Sequence, residues 1–113
     1  MKQIDDIEYE VTNGEQVTIA ITPSVSLGSQ YGAVLDGKPQ MPRPANGVYT
    51  FPVTKPAKQS HRFKIVFGFI GAPAGSKYSI RIDGSGNGNK GPFTQSVDQD
   101  DPAPDRTFRF RVV

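Results

Sequence analysis

Residues 61–69 read His-Arg-Phe-Lys-Ile-Val-Phe-Gly-Phe, and this stretch decides the fold class. Phe63, Ile65, Phe67 and Phe69 take every second position, and Arg62 and Lys64 fall on the alternate ones. A strand sends successive side chains to opposite faces, so the alternation gives one apolar face and one charged face. A helix needs apolar positions three and four apart, and no window of the chain supplies them.

The same period of two recurs in both directions. Toward the C-terminus, Tyr78, Ile80 and Ile82 alternate with Ser79 and Arg81, and Phe108, Phe110 and Val112 with Arg109 and Arg111. Toward the N-terminus, Ile7, Tyr9 and Val11 alternate with Glu8 and Glu10, and Val17, Ile19 and Ile21 with Thr18 and Ala20. Shorter candidates cover Tyr31 to Asp36 and Val48 to Val53. Seven such segments separated by turns predict an all-β chain: a two-sheet antiparallel β-sandwich. A small barrel shares the alternation. Phe93, Gln95 and Val97 add an eighth, short edge strand inside a connection otherwise too long for a compact domain.

Bulk properties agree. A length of 113 residues suits one domain spanning 1–113. With 12 glycines and 10 prolines, the composition fits short strands joined by many turns. The absence of cysteine excludes disulfides, thiolate nucleophiles and cysteine-ligated zinc. Thirteen basic against 11 acidic residues is too balanced to argue for nucleic acid. The aromatic residues mostly take inward strand positions, where they build core rather than a base-stacking platform. No apolar run reaches membrane-spanning length, and residues 1–6 lack the apolar core of a signal peptide. The expectation is a cytoplasmic protein or an excised domain of an exported one, with no membrane insertion.

The first connection repays a closer reading. Asn13-Gly14 has the composition of a two-residue hairpin, but that register puts the apolar sets of the flanking strands on opposite faces. A three-residue loop, Thr12-Asn13-Gly14, instead pairs Tyr9 with Val17 and Ile7 with Ile19, with Gly14 left-handed in a bulge. The other solution places the two strands in different sheets. The connection from Asp36 to Gly47 holds three prolines and reads as loop.

Four features carry candidate chemistry. His61 is the only histidine, at a strand start, and the simpler reading is a surface residue outside any catalytic group. Asp83, Ser85 and Asn87 stand at positions one, three and five of a calcium-loop pattern, with Gly88 at six. Thr94 replaces the bidentate glutamate at twelve, and downstream acids such as Asp98 would have to complete the site; a flexible turn is the simpler account. Lys77 and Arg81 on one strand, with Arg109 and Arg111 on another, would form a basic face for an anionic partner if those strands are neighbours. Glu8 and Glu10 offer a structural alternative, a charge ladder to Arg109 and Arg111. Finally, residues 39–44, Pro-Gln-Met-Pro-Arg-Pro, permit an extended segment presenting Met41.

The seven-segment layout resembles immunoglobulin-like and fibronectin-like sandwiches, without the paired cysteines and core tryptophan of true immunoglobulin domains. The run from Lys77 to Gly84 (KYSIRIDG) resembles one strand and turn of small accessory modules on secreted bacterial enzymes. The functional expectation is a non-catalytic binding or accessory module without cofactor, taking a protein or glycan at its end loops. A structural subunit assembling through sheet edges or a sheet face, and a small enzyme with a dispersed site, are the alternatives.

Overall fold

The computed structural model describes residues 8–23, 31–41, 44–69, 74–84, 93–98 and 105–113, and these form nine strands, of which the two-residue Lys38–Pro39 carries no alternation. They are β1 (Glu8–Val11), β2 (Gln16–Pro23), β3 (Tyr31–Leu35), β4 (Lys38–Pro39) and β5 (Val48–Pro52), then β6 (Ser60–Phe67), β7 (Lys77–Gly84), β8 (Phe93–Asp98) and β9 (Arg106–Val112). One sheet has five strands in the order β1-β9-β6-β3-β4, and the other has four in the order β5-β2-β7-β8. Among the described residues there is no helix, and so none long and apolar enough to cross a membrane.

The two sheets face each other through the apolar positions that the alternation marks. Phe63, Ile65, Phe108 and Phe110 of the larger sheet are buried against Val17, Ile19, Ile80 and Ile82 of the smaller. Aromatic rings lock the layers: Phe51 of β5 lies 5.5 Å from Phe110 and 6.2 Å from Phe63, and Phe67 lies 4.5 Å from Tyr78. Burying each such side chain contributes roughly 1.5–3 kcal/mol relative to leaving it exposed.

The expected first hairpin does not form. β1 instead runs parallel to β9, pairing Tyr9 with Phe110, while β2 sits in the other sheet between β5 and β7. The turn from Thr12 to Glu15 carries the chain between layers, closed by Glu15 N–H donating to Thr12 O at 3.1 Å, with Gly14 left-handed as expected. The register conflict seen in the sequence is resolved by a change of layer, not by a bulge. Each apolar set then faces the core from its own side.

The strand from Lys77 is likewise not beside the strand from Arg106. The intervening β8, expected as a short edge strand, takes the edge next to β7, and the chain then crosses to the other sheet to form β9. β9 fits between β1 and β6, where its inward Phe108 and Phe110 are fully covered.

The connection after Asp36 is also more regular than expected. Asp36 and Gly37 both have positive φ, 51° and 81°, and join β3 to β4 with Leu35 paired to Lys38. This is a type I′ hairpin turn, for which Asp-Gly is a favoured sequence. Further on, Gly47 (φ 72°) accepts the Ile21 N–H at 2.9 Å through its carbonyl. A Cβ at this position would run into the Ile21 carbonyl oxygen, so only glycine fits.

Candidate functional site

His61 is not a surface residue. It pairs with Phe110 on β9, which turns it inward, and its ring is buried against Phe51 at 5.4 Å. The Thr54 N–H donates to Nε2 at 3.2 Å, so in the neutral ring the proton sits on Nδ1 and is donated to Asp36 Oδ2 at 2.7 Å. Asp36 Oδ1 accepts the Arg62 N–H at 2.9 Å and lies 3.8 Å from Lys55 Nζ. Burial pushes the Asp36 carboxyl up, but the Arg62 amide, the His61 ring and the Lys55 ammonium outweigh it and hold the group below its ordinary value. The arrangement resembles the base and orienting carboxylate of a catalytic triad. A backbone amide, however, occupies the place where a nucleophile's hydroxyl would stand. Its evident work is to clamp the β3–β4 turn and the β5–β6 connection onto β6.

Asp83 and Asp98 of the calcium pattern are not brought together. Asp83 points outward near the end of β7 and pairs with Arg81 at 3.5 Å. Asp98 lies beside Lys77 at the other end of the β7–β8 pair, six positions away along β7. At the rise of a strand this is roughly 20 Å, which no single cation spans. Ser85 and Asn87 lie outside the described residues. Among the described residues no three histidine or acidic side chains gather as a metal site. Met41 is 85% exposed, but Pro42 and Arg43 of its segment lie outside the described residues.

The expected basic face is divided between the layers. Lys77 and Arg81 project from the outer face of the four-stranded sheet, and Arg109 and Arg111 from that of the five-stranded sheet. A different set of cations converges instead. β6 lies next to β9, and its outward Arg62 is directly opposite Arg109, with Lys64 opposite Thr107 and Ser60 opposite Arg111. Arg62, Lys64, Arg109 and Arg111 therefore share one exposed surface. Arg62 and Lys64 were visible in the sequence as the charged positions of 61–69. What the sequence does not contain is the pairing of that segment with the C-terminal one.

The charge ladder is present in part. The parallel register sets Glu8 beside Arg109 and Glu10 beside Arg111. Glu8 Oε2 lies 3.8 Å from Arg109 Nη1, whereas Arg62, Lys64 and Arg111 form no ion pair with any described residue. Two carboxylates at one edge thus face four cations, and one opposed pair, Arg62 with Arg109, is of like charge. Such pairs are destabilising across a sheet.

No family model, no curated protein and no solved structure matches this chain.

Proposed function

We propose that the chain is a non-catalytic binding module, an immunoglobulin-like β-sandwich that takes an anionic ligand on the outer face of its five-stranded sheet. The two facing layers support the sandwich, as does the first strand running beside the last. Its order is a variant, because the β7–β8 pair enters the chain between β6 and β9. The site moves from the end loops to a sheet face, since the convergent charged groups lie there.

The observation that carries the reading is the opposition of Arg62 and Arg109, flanked by Lys64 and Arg111. The sheet could replace Arg62 by a neutral or acidic residue and gain stability, while Arg109 kept its pair with Glu8. Retaining both makes sense where an anion sits over them.

The R62E/K64E variant tests this. It places a carboxylate opposite Arg109, so folding stability should hold or rise, by about 0.2–1 kcal/mol for the new pair. Retention on an immobilised polyanion at low salt should be lost. The matching K77E/R81E variant on the other sheet should be retained as wild type. Loss in both variants to the same extent, or in neither, sinks the proposal.

A further inference from the structure

Resting on that reading, we infer that the ligand is an acidic polysaccharide, an extended chain bearing carboxylate or sulfate groups laid obliquely across β9 and β6. Three features of the face narrow the class.

The first is the layout of charge. Arg111 and Arg109 are two residues apart on β9, as are Arg62 and Lys64 on β6, and Arg109 faces Arg62 across the pair. Residues two apart on a strand repeat every ~7 Å, so the four cations form a slanting stripe roughly 14 Å long. A single small anion needs donors converging on one point in a recess. A stripe on an exposed sheet instead meets a chain with charges spread along it, and the arginine forks suit planar carboxylates and sulfates.

The second is the hydroxyls at either end of the stripe. Ser60 is opposite Arg111 and Thr107 is opposite Lys64, so both share the outer face with the cations. Neither side chain is engaged by a hydrogen bond to a described residue. Each offers one donor and two acceptor positions at the height of the bound chain, which matches the hydroxyls of a sugar ring.

The third is what the face does not present. Tyr9, Phe63, Phe67, Phe108 and Phe110 on its strands are all turned into the core. Among the described residues no aromatic side chain stands on the outer side of β1, β9 or β6. Single-stranded nucleic acid is bound by base stacking on such rings, and protein partners centre on aromatic and arginine anchors set in desolvated pockets, whereas the arginines here stand exposed on an open sheet. The apolar exposure is Val66 on β6, at 42% and beyond the charged stripe, and the half-buried Val34 beside Lys64 on β3.

Fluorescence anisotropy with the full chain at low salt separates the possibilities, using four labelled probes of similar charge: polygalacturonate, dextran sulfate, polyglutamate and oligothymidylate. One or both glycans should bind at least about tenfold more tightly than polyglutamate and oligothymidylate. The S60A/T107V variant should weaken the glycans by about fivefold and leave polyglutamate unchanged. R62E/K64E should abolish all binding. If affinity follows charge alone, or if oligothymidylate or polyglutamate binds most tightly, the glycan assignment is overturned while the anion-binding face stands. If wild type binds none of the four, or R62E/K64E binds as well as wild type, both fall.

Discussion

The carboxylate of Asp36 accepts from the Arg62 amide and the His61 ring on β6 and faces the Lys55 ammonium in the connection that precedes it. All of this comes from a turn residue with positive φ, a conformation that asparagine tolerates as well as aspartate. Asp36→Asn therefore keeps the turn but removes the charge and one of the two acceptor oxygens, so that the Arg62 amide or the His61 ring loses its partner. The expected cost is about 1–3 kcal/mol at neutral pH, read from urea unfolding. Because the folded state holds this carboxyl below its ordinary 3.8, its contribution is complete above that value and is lost as pH falls through the lower, folded one. The stability gap between wild type and Asp36→Asn should accordingly close in acid. A gap that stayed constant while pH fell well below 3.8 would show that charge is not what Asp36 supplies. Asp36-Gly37 has the composition of a hairpin turn, but the three prolines that follow it point to a loop. The His61 contact has no such local signal, since 25 residues separate the partners.

Among the elements, β1 shows how far alternation reaches. Its inward Tyr9 and Val11 and outward Glu8 and Glu10 were legible, and so was a charge ladder to the last strand. The choice between its two candidate neighbours, β2 through a hairpin and β9 through the ladder, was not, because period two fixes the face of a strand and leaves its neighbour open. The connection of Thr12 to Glu15 has hairpin composition, yet both apolar sets are satisfied only when it crosses between layers. The ladder itself is specified by register: Glu8 belongs with Arg109 and Glu10 with Arg111, one step from the diagonal alternative. A double-mutant cycle on Glu8→Arg and Arg109→Glu should recover about 0.2–1 kcal/mol in the swapped pair, as expected for an exposed ion pair. The same cycle on Glu10 and Arg109 should recover less. Equal coupling in both cycles would mean that the edge strand is not held in this register.

At the scale of the whole molecule, β9 joins what the sequence keeps farthest apart. It accepts β1 on one side and β6 on the other, and its Phe110 ring stacks on Tyr9 at 5.2 Å while meeting Phe51 of the opposite sheet edge-on. One side chain thus ties the N-terminal strand, the C-terminal strand and the second layer together. Each of these residues was readable as core from its alternation, but that they converge follows only from the sheet order. Removing the ring leaves a cavity that neither sheet can close without shifting against the other. Phe110→Ala should therefore cost about 3–5 kcal/mol. Against a total of about 5–15 kcal/mol for a domain, that is a large share of the margin. Val112→Ala, on the same strand and equally buried, removes less volume and should cost clearly less. Urea unfolding of the two variants checks this: a loss for Phe110→Ala no greater than for Val112→Ala would show that the ring does not tie the two sheets together. The outward arginines of β9 can serve a ligand because Phe108 and Phe110 hold the strand in place from the inner side. Substitutions on the outer face should accordingly change binding strongly while shifting stability by no more than about 1 kcal/mol.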